Sequence, residues 1–207
     1  MWTMFGIHFF SNEEKKQINN MYTTQQDMIE HGGIKVTGGL CQPLASTWLE
    51  GQIDGTGSEY LKDKHLTLQR TLAVNEAQRE LRDQERDYKS YAFIKTNTPY
   101  TVQDTPISTL ITAEGVKQTL GSHEHALFSY QTKKHGPRHA IAFSSSIKKD
   151  NKCTFFNADH YAGEVKGPCD VIMNALAVTL KNSAELNENE VARVTLSMPC
   201  HGNYPDK

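Results

Sequence analysis

Three short segments rich in strand-forming residues follow one another in the carboxyl half of the chain, and they constrain its fold more than any other feature. They are HALFSYQ, HAIAFSSSI and CTFFNADHY, which begin at His125, His139 and Cys153. The intervening KKHGPR and KKDNK are short, polar and typical of hairpin turns. Because strands joined by hairpins pair antiparallel, the sequence predicts an antiparallel meander over residues 125–161.

The amino half carries helix-forming residues instead. Residues 59–94 have no proline or glycine and are rich in Leu, Ala, Gln, Arg and Glu, which predicts one long helix or two abutting ones. Within this region, the run QRELRDQERDYK has opposite charges three and four residues apart, which predicts a solvated face, although a partner-binding helix stays open. A further helix is expected from Ser11 to about Ile29, a loop over residues 96–105 and a short helix around residues 107–119.

Two more elements are predicted after the meander. Pro168 precedes CDVIMNALAVTL, whose apolar residues lie nearly all round a helix and therefore predict a well-buried one. VARVTLSM then predicts a closing strand. We expect residues 1–207 to form a single domain of the α+β class, with a helical amino half and an antiparallel sheet in the carboxyl half.

Charge and composition exclude some classes of partner. The formal net charge is −2 and the basic residues are scattered, so neither nucleic acid nor an anionic membrane is expected as the main partner. The apolar first ten residues lack a positive start and contain His8, which predicts no cleavable signal peptide and no direct membrane insertion. Because the chain is large and shows no dense cysteine spacing, reduced thiols are expected at Cys41, Cys153, Cys169 and Cys200.

The segment GGLCQPLASTWLE, residues 38–50, holds the first candidate reactive residue. A glycine turn leads into an amphipathic helix with Leu44 and Trp48 on one face, so Cys41 is expected at the amino end of that helix. There, unpaired N–H groups and the positive end of the helix macrodipole favour a thiolate, the reactive form of cysteine. The alternative is that Cys41 is a small buried residue.

A cysteine nucleophile needs a base, usually histidine, and a third polar group that orients the imidazole. His139 begins the apolar strand HAIAF and would project from a rigid sheet. On the next strand, Asn157 and Asp159 differ by two positions and so face the same side. Counting around a hairpin centred near Lys149–Asp150 puts either of them roughly opposite His139, with Asp159 slightly better placed.

In order and context, these blocks resemble the YopT/AvrPphB family of bacterial effector cysteine peptidases. In that family a glycine-preceded cysteine is followed by Leu and Trp at three and seven residues, matching Cys41, Leu44 and Trp48. The family's histidine block opens an apolar strand with His-Ala, matching His139 and Ala140.

The family's acidic block reads Phe-Asp-Pro-Asn, an aromatic residue and then Gly-Glu. It resembles FFNADHYAGEV in this chain, where the proline is absent. An alignment on Gly163-Glu164 matches the family aspartate to Asp159, whereas an alignment on Phe155-Phe156 matches it to Asn157. The resemblance covers about residues 38–165.

The resemblance implies a papain-like fold and a cysteine peptidase without cofactor or metal. Cys41 would be the nucleophile, His139 the base, and Asp159, or alternatively Asn157, the orienting residue. It also implies secretion into a host or target cell by a specialised system and action on a protein substrate in the recipient cytoplasm. A cognate inhibitor or chaperone would be a further partner.

Several questions stay open from sequence. Thr37 and Gln42 are candidates for an oxyanion-hole side chain, and the loop residues upstream of Cys41 are the alternative. A transglutaminase, deamidase or acyltransferase uses the same triad, and a catalytically silent papain-like scaffold would be a binding module. A metal site would use His123 and His125, with Cys153, His160 or Cys169 within reach in sequence, although no Cys-x-x-Cys pair is present. Core positions are predicted for Trp48, Phe143, Phe155 and Phe156.

Overall fold

The computed structural model describes residues 21–35, 39–132, 137–146, 150–160, 163–183 and 190–199. Most of the helices in these residues precede the sheet along the chain. The α-helices are α1 (Gln25–His31), α2 (Cys41–Asp54), α3 (Lys64–Asp83), α4 (Tyr91–Lys95), α5 (Ile107–Leu110), α6 (Ala113–Leu120) and α7 (Cys169–Ser183). Short 3-10 turns at Glu59–Lys62 and Tyr88–Ser90 lie on either side of α3.

Six strands in the described part of the chain form one antiparallel sheet. They are β1 (Tyr100–Pro106), β2 (His125–Gln131), β3 (Arg138–Ser145), β4 (Lys152–Asn157), β5 (Glu164–Pro168) and β6 (Val191–Ser197). Their spatial order is β1-β6-β2-β3-β4-β5. The helices and sheet make the fold α+β, and the consecutive antiparallel pairing of β2, β3 and β4 confirms the predicted meander.

Helices cover both faces of the sheet, because the central strands are apolar on both sides. On one face, Phe128 and Ile141 belong to a core with α5, α6 and α7. On the other face, Leu127 and Ala142 belong to a core with α1, α2 and α4. The residues predicted as core are buried at Trp48, Phe143, Phe155 and Phe156.

The helical region predicted over residues 59–94 is divided. Helix α3 ends at Asp83, and Glu85 has a φ of 56°, a left-handed conformation that a continuous right-handed helix does not contain. Of the helix predicted from Ser11 to Ile29, the described part is α1, which begins where the Thr24 hydroxyl accepts a hydrogen bond from the Asp27 N–H. The short helix predicted over residues 107–119 is the pair α5 and α6.

The prediction of a loop over residues 96–105 is wrong for its second half, where β1 runs from Tyr100 to Pro106. This strand lies at the edge of the sheet beside β6, and most of its side chains are exposed. An exposed edge strand needs no hydrophobic alternation and tolerates proline, so its sequence reads as a loop. Strand β5, at the opposite edge of the sheet, was also not predicted from the sequence.

Helix α7 is less buried than its apolar sequence predicts. Ile172 and Leu176 face the core, whereas Val171 and Val178 are 55% and 47% exposed. One face of the helix packs on the sheet, and apolar residues on the other face meet solvent. Among the described residues, no helix is both long and apolar enough to cross a membrane.

Cys153 and Cys169 form a disulfide bond, which corrects the prediction of reduced thiols at these two positions. They are 16 positions apart in sequence, but β5 pairs back along β4, so that Cys153 lies opposite Gly167. Helix α7 begins two residues later and brings the two Cα atoms to 4.7 Å. Cys41 is a free cysteine, and Cys200 lies outside the described residues.

Candidate active site

Cys41 is the first residue of α2, as the sequence predicts. The helix lies across β3, where Ala140 and Ala142 share one apolar core with Leu44 of the helix. Because these two side chains are small, the helix can approach the strand closely. This packing brings the amino end of α2 to the start of the strand that carries His139.

The Cys41 thiol is buried, with 6% of the residue exposed. Its Sγ donates to the Arg138 carbonyl oxygen at 3.6 Å. Burial raises the pKa of this thiol; hydrogen bonds from the Ala140 and Gln42 backbone N–H groups act in the opposite direction, and the Asp159 carboxylate raises the pKa further. The prediction of a lowered pKa is therefore wrong here, because removal from water outweighs the favourable amino end of the helix.

His139 is buried beside Tyr130, its partner across β2 and β3. Its Nε2 lies 2.7 Å from Asn157 Oδ1. The same oxygen accepts a hydrogen bond from the Asp159 backbone N–H at 3.1 Å, which identifies it as the acceptor of the amide. His139 must therefore donate from Nε2, so the neutral ring carries its lone pair on Nδ1 and Nδ1 is the basic atom.

Asp159 approaches the other nitrogen of the ring. Its Oδ2 lies 3.6 Å from His139 Nδ1, and its side chain is 56% exposed. Ile141 pairs with Asn157, which agrees with the predicted register of the β3–β4 hairpin. In this register, Asp159 would lie opposite His139 if β4 continued for two more residues. The strand instead ends at Asn157, where the His160 N–H bonds back to the Asn157 carbonyl oxygen. Asn157, the diagonal neighbour, therefore reaches Nε2.

Gln25, the first residue of α1, joins this cluster, although no motif in the sequence marks it. Its Oε1 accepts a hydrogen bond from the Leu40 N–H at 2.9 Å, and its Nε2 donates to Asp159 Oδ1 at 2.5 Å. A Cβ atom at Gly39 would lie 3.0 Å from Gln25 Oε1 and 3.9 Å from Cys41 Sγ. The Gln25 carboxamide and the Cys41 thiol therefore both lie close to Gly39.

Of the two predicted oxyanion candidates, Gln42 is engaged elsewhere and Thr37 lies outside the described residues. The Gln42 Nε2 donates to the Lys89 carbonyl oxygen at 3.2 Å and lies 3.5 Å from Ser46 Oγ. The contact with Lys89 holds the first turn of α2 against the 3-10 turn at Tyr88–Ser90. Gln42 thus has a structural role in this conformation.

Contacts of Trp48 with Glu164 and Phe156 hold the elements of the candidate site together. Trp48 Nε1 donates to Glu164 Oε1 at 2.8 Å, and the indole stacks on Phe156 with ring centroids 5.8 Å apart. These contacts join α2, β4 and β5. The helix that carries Cys41 and the strand that carries Asn157 are thereby held against each other.

The alternative metal site is not assembled. The disulfide removes Cys153 and Cys169 as thiolate ligands. His123 bonds to a backbone carbonyl group, and His125 lies at hydrogen-bond distance from a serine hydroxyl. Within the described ranges, no three His, Cys, Asp or Glu side chains are grouped to hold a metal ion.

Comparison with known proteins yields a structural likeness. No protein-family model matches the sequence, and no curated protein matches it. Among solved structures, the chain is similar to the crystal structure of the Pseudomonas avirulence protein AvrPphB, with a TM-score of 0.52 and 14% sequence identity. The match covers 88% of this chain and 100% of that chain. At this identity the likeness shows a shared fold and not a shared activity.

Proposed function

We propose that this chain is a cysteine peptidase of papain-like fold, in which Cys41 attacks the substrate, His139 transfers protons and Asn157 orients the imidazole. The observation that carries the proposal is the 2.7 Å contact between His139 Nε2 and Asn157 Oδ1. This contact leaves Nδ1 as the basic atom of His139. The residue before it, Arg138, provides the carbonyl oxygen to which the Cys41 thiol donates. The fold likeness to AvrPphB supports the papain-like scaffold.

Activation of Cys41 requires a base, because burial raises the pKa of its thiol. His139 Nδ1 takes the thiol proton while Nε2 stays bonded to Asn157. The imidazolium so formed has Asp159 Oδ2 3.6 Å from Nδ1, within ion-pair distance. The thiolate attacks the carbonyl carbon of the scissile bond, and the carbonyl oxygen becomes the oxyanion of a tetrahedral intermediate.

Donors around the thiol stabilise the oxyanion. The Cys41 N–H belongs to the first residue of α2, where helical geometry provides no acceptor. Gln25 Nε2 is the candidate side-chain donor, and it would exchange Asp159 for the oxyanion. Collapse breaks the C–N bond, and the Nδ1 proton of His139 passes to the leaving amine. A water deprotonated at Nδ1 then hydrolyses the thioester and releases the Cys41 thiol.

The proposal includes a protein substrate in a host or target cell. The family resemblance of the Cys41, His139 and FFNADHYAGEV blocks implies delivery by a specialised secretion system and action in the recipient cytoplasm. A survey of new protein amino termini in recipient cells expressing wild type or Cys41→Ala identifies the substrate. If no terminus depends on Cys41, this part of the proposal is wrong.

Selective alkylation tests the nucleophile without a known substrate. Iodoacetamide at pH 7 should label Cys41 in the wild type, as located by peptide mass. His139→Ala should lower the rate constant by about 100-fold or more, because the base is lost. In this variant the rate should recover above the ordinary thiol pKa of about 8.5, since burial raises the pKa of Cys41 and keeps the thiol protonated at lower pH.

The matched control is His125→Ala, which removes a strand histidine outside the cluster and should leave Cys41 labelling unchanged. Equal rate constants for Cys41 labelling in wild type and His139→Ala, both at pH 7 and at higher pH, would contradict the proposed mechanism. Circular dichroism of each variant checks that the fold is retained.

Burial of Cys41 favours one alternative, a catalytically silent papain-like binding module. A thiol on a residue that is 6% exposed, with its pKa raised by burial, is protected from reaction. Folded wild-type protein with an unlabelled Cys41 would support this alternative. If Cys41 is active, product mass separates the chemistries: hydrolysis of a peptide bond makes two fragments, whereas deamidation or acyl transfer leaves one chain intact.

A further inference from the structure

A groove of about 180 Å³ opens beside Cys41 and His139, and the charged side chains that line it are basic. Its walls come from α3, the turn at Tyr88–Ser90 and the start of β3. Among the described residues that line it, none is a carboxylate. Four are basic side chains: Arg79, Arg82, Lys89 and Arg138.

Three of these cations are not neutralised by an ion pair with any carboxylate in the part of the chain that the structure describes. Arg138 donates to the Ser129 carbonyl oxygen at 3.0 Å, which fixes its guanidinium at the groove. Arg82 and Lys89 lie over the Tyr88 ring, at 5.6 and 5.9 Å from its centroid. Their charges therefore remain available to a ligand.

Two neighbouring carboxylates are already engaged in ion pairs. Glu76 pairs with Arg79 at 2.5 Å, and Asp87 pairs with Arg193 at 2.6 Å. Burial lowers the pKa of Lys89, and nearby guanidinium groups lower it further, while Asp87 and a second aspartate act in the opposite direction. Burial is the largest cause of this shift, and the guanidinium groups of Arg138 and Arg193 add to it.

The basic wall is attached to the helix that holds the thiol. Gln42 donates to the Lys89 carbonyl oxygen at 3.2 Å, and Gln78 donates to the Tyr88 carbonyl oxygen at 3.1 Å. Because Cys41 is the residue before Gln42 on the same helix, the first of these contacts holds the backbone of the turn that carries Lys89 beside the start of α2.

We infer that this groove binds an acidic side chain of the substrate beside the bond that Cys41 cleaves, and that Arg82, Lys89 and Arg138 select it. The inference rests on the proposed function, because it names the substrate class of the same site. A carboxylate would accept charge-assisted hydrogen bonds from these donors. A substrate lysine or arginine in the same place would meet like charges and be rejected.

Cleavage of a randomised peptide library tests this selection. The cuts made by the wild type should be enriched in Asp or Glu at a position within about two residues of the scissile bond, since an extended residue spans about 3.4 Å. Arg82→Glu and Lys89→Glu should each lower that enrichment about threefold to tenfold at low salt. Arg82→Gln should have an intermediate effect, because it removes a charge without reversing it.

The matched control is Arg86→Glu, the same change of charge at an exposed residue just beyond α3 that does not line the groove. This variant should keep the wild-type enrichment. If Arg86→Glu and Arg82→Glu have equal effects, net charge and not the groove sets the preference, and the inference is overturned.

Alkylation supplies a second readout that needs no cleavage. Iodoacetate is an anion and iodoacetamide is neutral, so the ratio of their rate constants at Cys41 reports the local charge. Arg82→Glu should lower this ratio about threefold to tenfold at low salt, and Arg86→Glu should not. High salt should reduce the difference.

The outcomes separate this inference from the proposed function. The protein can cleave peptides, or show labelling of Cys41 that depends on His139, without any acidic preference and with an unchanged alkylation ratio in the groove variants. That result overturns the inference but not the proposed peptidase function. A wild type that neither cleaves nor labels contradicts the proposed function, and the inference is lost with it. Acidic enrichment or a lowered ratio confined to the groove variants supports the inference.

Discussion

The contact between His139 and Asn157 determines which nitrogen of the imidazole is basic. The Asn157 oxygen receives both the His139 Nε2–H and the Asp159 backbone N–H, so the amide has its acceptor toward the ring. Asp159 lies near Nδ1 with more than half of its side chain exposed. In the proposed mechanism Asn157 orients the base, and Asp159 faces the imidazolium after proton transfer.

Asn157→Ala should therefore lower the rate constant for iodoacetamide labelling of Cys41 at pH 7 by about 100-fold or more, because His139 would lose the acceptor that keeps its proton on Nε2. Asp159→Asn, which keeps the size of the side chain, should have a much smaller effect. If Asp159→Asn causes the larger loss and Asn157→Ala retains the wild-type rate, Asp159 is the orienting residue instead.

Gln25 provides a second prediction for a single residue. Gln25→Ala should lower kcat for peptide cleavage by about 100-fold to 1000-fold, the usual cost of losing one oxyanion donor. Labelling of Cys41 by iodoacetamide should stay close to the wild-type rate, because this displacement forms no oxyanion.

The control for Gln25→Ala is Gln26→Ala, since the neighbouring Gln26 bonds to Glu30 at 2.6 Å on the exposed side of α1. This variant should retain activity. An equal loss of labelling and cleavage in Gln25→Ala would instead mean that Gln25 positions the site through Leu40 and Asp159.

At the scale of secondary-structure elements, the approach of β5 to β4 depends on Gly163. Its φ is +75°, and a Cβ atom there would lie 2.3 Å from Phe156 Cε2. The Phe156 ring cannot move aside freely, because it stacks on Trp48 in the core. The Gly163 carbonyl oxygen also accepts a hydrogen bond from the Asn157 N–H at 2.8 Å, so this approach supports the candidate site.

Gly163→Ala should lower the free energy of unfolding by about 1–2 kcal/mol for the left-handed backbone and about 1–3 kcal/mol more for overpacking. Urea denaturation followed by circular dichroism measures the change. Gly55→Ala is the matched control, since Gly55 has a φ of +80° and open space around its missing Cβ. A loss no larger than that of Gly55→Ala would show that Phe156 yields without cost.

At the scale of the whole molecule, the disulfide joins β4, the strand next to one edge of the sheet, to the helix on one face. Cys153 lies in β4 and Cys169 begins α7, and the bridge encloses a loop with a sequence separation of 16 residues. A crosslink restricts the unfolded chain, and a loop of this length contributes about 3 kcal/mol in the chain-entropy description.

Reduction with dithiothreitol should lower the free energy of unfolding of the wild type by about 3 kcal/mol. The Cys153→Ala/Cys169→Ala variant should show no further change with reductant, because its remaining described cysteine, Cys41, is free. If the oxidised and reduced wild type unfold at the same urea concentration, and mass spectrometry finds both thiols free, the bridge does not form in solution.

Local sequence determined the features that depend on neighbouring residues. The meander followed from strand-forming segments separated by polar turns, and its centre was correct because a hairpin has little freedom in register. Cys41 lies at the start of α2, where the two glycines in the preceding sequence and the apolar spacing of Leu44 and Trp48 are local signals. The start of α7 after Pro168 is a local signal of the same kind.

Tertiary structure alone decided the features that join distant parts of the chain. Gln25 reaches Asp159, 134 positions away, through the packing of α1 beside the site. Strand β1 forms because β6 offers it an edge, and the Cys153–Cys169 bond forms because β5 folds back on β4. The pKa of Cys41 rises because the fold buries its thiol, which a helix-end pattern does not reveal. Sequence patterns report contacts between near neighbours, whereas burial and long-range contact arise only when the elements pack.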